Sequence, residues 1–183
     1  MGKFWSVDAV AKDVSTSQWG TIVALAESPL NENLLFAGTD DGVISITEDG
    51  GKNWRQVKSF PGIPEYTYVS HLHADRFNEN VVYASFDNLQ RDDFKPYVLK
   101  SSDRGKTWNS IAGNLPANGT VNCLEQDFVN PDLLFAGTEF GIFFTPDGGK
   151  NWVQLKSGIP TIAVRHIAIQ QRETDLVLAT FGR

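Results

Sequence analysis

The sequence predicts an all-β fold made of repeated four-stranded antiparallel meanders. Three observations predict it. Segment 34–59, LLFAGTDDGVISITEDGGKNWRQVKS, recurs as segment 133–157, LLFAGTEFGIFFTPDGGKNWVQLKS, with one deletion between the shared Gly42/Gly141 and the shared Thr47/Thr145. A looser copy lies between them: Val81-Val82-Tyr83-Ala84-Ser85-Phe86, then Tyr97-Val98-Leu99-Lys100, then Ser101 to Trp108. Composition agrees, since 16 Gly, 8 Pro and 11% aromatic residues in 183 suit many short strands joined by tight turns. The matching Asp49, Asp103 and Asp147 stand 54 and 44 residues apart, within or near the roughly 40–50 residues of a four-stranded propeller blade. The predicted fold is therefore a series of β-propeller blades, about three and a half of them.

Alternation and turn residues place the strands in order. Residues 1–17 form an N-terminal segment that could close the array as an added strand. Blade one, residues 18–60, reads as strands Thr21 to Glu27, Leu34 to Gly38, Val43 to Thr47 and Asn53 to Val57, with turns at Pro29 to Asn33, Asp40-Asp41-Gly42 and Asp49-Gly50-Gly51. Blade two, residues 61–115, carries an inserted polar loop, 87–96, which accounts for the longer first spacing. Blade three, residues 116–160, repeats blade one from Thr120 to Leu155, with Asn130-Pro131-Asp132 as its first turn. Residues 161–183 supply Val164 to Gln170 and Leu176 to Thr180, the first two strands of an incomplete fourth blade.

The turn repeated in each blade is Ser/Thr-x-Asp-x-Gly-x-Thr/Asn-Trp: Thr47, Asp49, Gly51 and Trp54; Ser101, Asp103, Gly105 and Trp108; Thr145, Asp147, Gly149 and Trp152. Each glycine supplies the positive φ of a tight reversal. Each aspartate can accept from amides that the turn leaves unpaired, and each tryptophan returns on the fourth strand to pack beneath it. These residues fold hairpins and perform no chemistry.

This pattern resembles the Asp-box, or bacterial neuraminidase repeat, of sialidases, xyloglucanase-type glycosidases, plant photosystem assembly factors and sortilin-type propellers. With Tyr68-Val69-Ser70, Phe86-Asp87-Asn88, Asp92 to Tyr97, Ser110 to Pro116 and Leu133 to Gly141, the chain from Gln18 to Arg183 is similar to bacterial sortilin-type propeller proteins often described as glycosyl hydrolases. The resemblance implies a periplasmic or extracellular protein. It also implies a chain that continues beyond Arg183, so that this one is a fragment, an excised domain or a ring completed by assembly.

Charge and composition exclude other classes. Sixteen Lys and Arg against 22 Asp and Glu give a net charge of −6, which argues against nucleic acid or an anionic membrane surface as partner. No apolar run approaches the ~20 residues of a membrane helix, and the N-terminus reads as no signal peptide. The single Cys123 excludes an internal disulfide and a multi-cysteine zinc site. In its strand it reads as a small half-buried residue, not a nucleophile.

A sialidase-like site needs an arginine cluster, a tyrosine nucleophile and an acid/base aspartate. Of Arg55, Arg76, Arg91, Arg104, Arg165, Arg172 and Arg183, only Arg165 begins an innermost strand. A xyloglucanase-type site needs two carboxylates across a cleft between two full propellers. His71, His73 and Asp75 alternate along one strand and could offer ligands to zinc, against a structural reading of an amphipathic strand. Asp40-Asp41-Gly42 and Asp87 to Asp93 read first as turns and only then as calcium loops, and Asn118-Gly119-Thr120 as a turn before a glycosylation acceptor.

No catalytic, metal-ligating or cofactor-binding residue is assigned. The expected function is a noncatalytic module that binds a peptide, protein or glycan, with Arg91, Asp92, Asp93, Phe94 and Lys95 of the inserted loop as candidate contact surface. The alternatives are a fragment of a sialidase-like or xyloglucanase-like glycoside hydrolase, and a self-assembling scaffold. A homodimer completing a seven-bladed ring would cover the exposed flanks of the first and last sheets.

Overall fold

The computed structural model describes residues 20 to 181. The expected closing strand in residues 1–17 lies outside the described residues. Three four-stranded antiparallel sheets and one two-stranded sheet follow one another along the chain, each in simple sequential order. Blade one holds β1 (Ile22–Ser28), β2 (Asn31–Thr39), β3 (Ile44–Thr47) and β4 (Arg55–Val57). Blade two holds β5 (Tyr68–Ala74), β6 (Val82–Asn88), β7 (Asp93–Ser101) and β8 (Asn109–Ser110). Blade three holds β9 (Val121–Gln126), β10 (Leu134–Thr138), β11 (Gly141–Thr145) and β12 (Val153–Gln154). β13 (Val164–Gln170) and β14 (Asp175–Thr180) form the fourth, two-stranded sheet. The first strands contact one another in series, β1 on β5, β5 on β9 and β9 on β13, as the innermost strands of a propeller do.

Packing on both faces explains why inner strands such as β3, β6 and β9 are buried along nearly their whole length. Residues on one side of a sheet turn to the next blade and those on the other side to the preceding one, so every sheet has two apolar faces. Ala24, Ala26, Leu34, Phe36, Ile44 and Ile46 of blade one join Val69, Leu72, Val82, Phe86 and Trp108 of blade two in one core. Val81, Tyr83 and Val98 of blade two join Leu124, Leu134, Phe143 and Trp152 of blade three in a second. Cys123 and Ile142 join Val164 and Ile167 in the third. The Gly in each LLFAGT segment marks the closest approach of neighbouring sheets. A Cβ at Gly38 would lie 2.5 Å from Val69 Cγ1, and one at Gly137 2.6 Å from Cys123 Sγ and 2.9 Å from Val164 Cγ1. Blade two carries Ser85 there, whose hydroxyl meets Ser70 Oγ at 2.8 Å while Ser70 Oγ donates to the Val121 carbonyl at 2.9 Å.

The segment expected as an inserted loop, 87–96, is mostly strand. β6 and β7 run on past their counterparts, with Asn88 paired to Asp93, and a single 3-10 turn at Leu89–Arg91 reverses the chain. Side-chain bonds to Asp93 Oδ2, from Asn88 Nδ2 at 3.1 Å and Tyr97 Oη at 2.6 Å, brace this polar hairpin, and Asp92 closes the turn at φ 56°. Apart from Phe94 its exposed side chains are hydrophilic, which made the stretch read as loop.

Candidate functional site

The repeated turns hold one hydrogen-bond pattern. Asp49 Oδ1 accepts from the Asn53 amide at 2.9 Å, Asp103 Oδ1 from Lys106 and Thr107 at 2.9 and 2.8 Å, and Asp147 Oδ1 from Lys150 and Asn151 at 3.0 Å each. The hydroxyls of Thr47, Ser101 and Thr145 donate to these aspartates and accept from the amides of Gly51, Gly105 and Gly149. Hydrogen bonds to the charged form hold all three carboxyls below the usual range: Asp49 to about 2, chiefly by the Asn53 amide, Asp103 to about 2, chiefly by the Thr107 hydroxyl, and Asp147 chiefly by the Thr145 hydroxyl. Trp54 and Trp108 donate to the carbonyls of Gly51 and Gly105, whereas Trp152 donates to Ile111 across the blade junction. Trp108 and Trp152 are buried. Trp54 is not, because no blade precedes it among the described residues.

At the other end of the strands lies the mouth of the central channel. A cavity of about 610 Å³ opens there, lined from separate segments by Asp40, Tyr66, Tyr68, Asp87, Arg91, Asn122 and Arg165. Its charged side chains are already positioned. Asp40 Oδ1 accepts from the amides of Gly20 and Thr21 at 2.7 and 2.9 Å, and Asp87 Oδ1 from the Leu89 amide at 2.8 Å. Arg165 Nη1 lies 3.0 Å from Glu139 Oε1 and donates to Asn122 Oδ1 at 3.0 Å, while Asn122 Nδ2 donates to the Val164 carbonyl. Arg91 donates to the Glu65 carbonyl and stands 5.9 Å above the Tyr66 ring. Burial raises the Asp87 carboxyl above its usual range; the Leu89 amide and Arg165 oppose the shift and Glu139 adds to it. Burial, then the charges of Asp40 and Asp87, raises the Tyr68 phenol.

The structure divides the candidate contact loop. Arg91 lines the channel mouth, whereas Asp92, Asp93, Phe94 and Lys95 line a separate outer groove of about 510 Å³ beside Pro61 and Ile63. The remaining described arginines are engaged elsewhere: Arg55 with the carbonyls of Arg104 and Gly105, Arg76 with Glu125, Arg104 with Glu48 and Glu79, and Arg172 with Glu173. Sequence reasoning took Asp40 first as a turn residue and only then as part of a calcium loop, and missed Tyr66, Tyr68, Asn122 and Glu139. Asp40, Asp87 and Glu139 share a positional signal at the end of a blade's second strand, Asp40 and Glu139 just beyond it and Asp87 as its penultimate residue.

His71 and His73 are structural in their surroundings. His71 Nδ1 accepts from the Leu124 amide at 3.4 Å, and its ring meets that of His166 edge-on at 6.0 Å. His73 Nδ1 lies 3.8 Å from Glu125 Oε2. Asp75 is drawn away by Tyr83 Oη, Gln126 Nε2 and the amides of Phe77 and Asn78. Among the described residues, no three His, Cys, Asp or Glu side chains gather in a way that would hold a metal ion. Cys123 is buried, which pushes its thiol up to about 12.

No protein-family model matches the chain. Among characterised proteins it is 25% identical to a probable oligoxyloglucan-reducing end-specific xyloglucanase of Neosartorya fischeri, over 79% of this chain and 25% of that protein. It is 24% identical to the xyloglucanase Xgh74A of Acetivibrio thermocellus, over 75% of this chain and 18% of that one. The chain thus spans a quarter or less of these relatives. Among solved structures, the GH74 enzyme of Niastella koreensis superposes with a TM-score of 0.68 at 16% identity, over 87% of this chain and 26% of that one. YCF48 bound to the D1 peptide superposes with a TM-score of 0.62 at 17% identity, over 86% and 50%. No helix among the described residues is long and apolar enough to cross a membrane. Topology, interblade packing and these likenesses together make the chain a run of β-propeller blades.

Proposed function

We propose that the chain is a noncatalytic β-propeller interaction module that holds a peptide, protein or glycan at the mouth of its central channel. The observation that carries this reading is the fixed polar rim: Asp40, Asp87, Glu139 and Arg165 each have a partner within the fold. A rim held in place before the ligand arrives loses little entropy on binding, and mixed tyrosine, amide and charged groups suit an extended polar ligand. One structural neighbour, YCF48, is a propeller described with a bound peptide. The repeated turns serve as hairpin locks in this reading, and the periplasmic or extracellular location implied by the sequence resemblance belongs to it. The module also pairs with a second copy of itself through its open first and last sheets.

The test is calorimetric titration with a peptide library and with xyloglucan oligosaccharides. Arg165→Ala, which releases both Glu139 and Asn122, should weaken retention of the ligand at least tenfold, without product formation. Binding unaffected by Arg165→Ala, Asp87→Asn and Arg91→Ala together would overturn the channel mouth as the site.

A second reading, a fragment of a glycoside hydrolase, is favoured by burial raising the Asp87 carboxyl, the direction in which a general acid is tuned. The matches to parts of two xyloglucanases lean the same way. Release of reducing sugar that Asp87→Asn abolishes would establish it in place of the module.

A further inference from the structure

The aspartates that fold this chain use both carboxylate oxygens. Asp49, Asp103 and Asp147 take main-chain amides on Oδ1 and the side chains of Asn53, Thr107 and Asn151 on Oδ2. Asp75 takes amides on one oxygen, and Tyr83 and Gln126 on the other. Asp40 and Asp87, at the channel mouth, use only one. The amides of Gly20 and Thr21 hold Asp40 Oδ1, and that of Leu89 holds Asp87 Oδ1. Each carboxylate is thus fixed in place while its Oδ2 accepts no hydrogen bond among the described residues. Nor does either form an ion pair with any of them.

The two carboxylates share one phenol. Tyr68 stands directly opposite Asp87 in the β5–β6 ladder, Asp40 comes from the neighbouring blade, and all three line the cavity half-buried. The charges of both act on the Tyr68 hydroxyl, yet it donates to neither, whereas Tyr83 and Tyr97 donate to Asp75 and Asp93. The positive groups of the mouth are engaged elsewhere. Arg165 pairs with Glu139 and donates to Asn122, and Arg91 donates to the Glu65 carbonyl over the Tyr66 ring. Arg165 acts on Asp87 through space, but burial outweighs it. A half-buried carboxylate without a cationic partner destabilises a fold, and such groups gather where a ligand supplies the partner.

Resting on the channel-mouth reading above, we infer that the ligand is a basic peptide, one of whose arginine or lysine side chains enters the cavity and sets its cationic group at the Asp40 and Asp87 carboxylates beside Tyr68. Two oxygens fixed beforehand give charge-assisted hydrogen bonds to such a group, and the aromatic ring adds a cation–π contact. The net charge of −6 favours the approach of a basic partner. Tyr66, Asn122 and Ser70, from the same cavity wall, are left to meet the peptide backbone.

The experiment is amide NMR of the whole 183-residue chain, titrated with acetyl-Gly-Arg-Gly amide, its lysine counterpart, and the citrulline counterpart as neutral isostere. The amides of Gly20, Thr21 and Leu89, bonded to the two carboxylates, are the reporters. The basic peptides should shift these three saturably, and the citrulline peptide should need about tenfold more or fail. Asp40→Asn and Asp87→Asn keep the Oδ1 that accepts the amides, so spectra away from the mouth should match the parent. Each should weaken the arginine peptide about tenfold. Equal shifts with arginine and citrulline would overturn the cationic recognition and leave the mouth as a binding site. Shifts confined to the exposed turns at Asp49, Asp103 and Asp147, indifferent to both substitutions, would overturn the site. No saturable shift with either basic peptide, while another ligand is retained and lost with Arg165→Ala, would overturn this inference and leave the module. No retention of any peptide or glycan would remove both.

Discussion

Acidification should destabilise this protein well above the pH at which its carboxylates titrate, because two histidines are buried uncharged. Burial, with His166 as a smaller cause, lowers His71 to about 4. Burial, then His71 and Arg76, lowers His73 to about 3, and its Nε2 has no hydrogen-bond partner among the described residues. In the unfolded chain both titrate near 6.5. Above that pH neither state takes up a proton and stability is level. Below it the unfolded chain binds protons that the folded one refuses, so stability falls as pH drops from about 6.5 toward about 4, by roughly 1.4 kcal/mol per unit for each histidine. Between pH 7.5 and 5.5 the loss for the pair is about 3 kcal/mol, a large part of the 5–15 kcal/mol typical of a domain. Urea unfolding followed by tryptophan fluorescence at intervals across that range measures it, with His71→Gln/His73→Gln as reference. An unfolding free energy that stays level from pH 7.5 to 5.5, or a slope that persists in the double variant, would refute the reasoning.

The repeated turns and junctions give further expectations. Gly105→Ala should cost about 2–4 kcal/mol, combining positive-φ strain with the clash on Ile46, while Gly51→Ala, with φ strain alone, should cost about 1–2; paired thermal unfolding curves compare them. Ser101→Ala removes a buried hydroxyl that accepts from the Gly105 amide and should cost about 1–2 kcal/mol in urea unfolding. Trp108→Ala should cost about 3–5 kcal/mol by the same assay, and Trp54→Ala in the monomeric state about 1 or less, since only the former ring is buried.

The strands were legible because inner strands are apolar on both faces, so short apolar runs bounded by turn residues mark them. The pairing of β3 with β4 and of β11 with β12 follows from two turns that share the sequence Asp-Gly-Gly-Lys-Asn-Trp. Residues 87–96 were not legible, since Asp and Asn favour loops on average, and it is the Asn88–Asp93 strand pairing together with the bonds to Asp93, Asp87 and Leu89 that makes them a hairpin. Nor was the exposure of Trp54. Its local sequence matches that of Trp152, and the difference lies in whether another sheet stands in front of it. The channel mouth was least legible. Tyr66, Asp87, Asn122 and Arg165 come from four distant segments, and their convergence depends on how the innermost strands lean together about an axis, which no local pattern encodes.

Divergence among copies nevertheless supports the channel mouth as the proposed binding end. The turns between third and fourth strands keep Ser/Thr, Asp, Gly and Trp in all three blades because each must close a hairpin, and those of blades two and three also seat on the blade before. The turns between second and third strands share no such sequence. They are Asp40-Asp41-Gly42, the 3-10 turn at Leu89–Arg91, and Glu139-Phe140-Gly141. Each closes its hairpin differently: the Thr39 hydroxyl binds Asp41, the Asp92 amide binds the Leu89 carbonyl, and the Thr138 hydroxyl binds the Gly141 carbonyl. Folding therefore leaves their sequences free to vary, and Asp40, Arg91 and Glu139, which differ between copies, are the groups placed at the rim or paired to it. In a repeat protein the fold is carried by what the copies share, and a site can be specific only through what they do not.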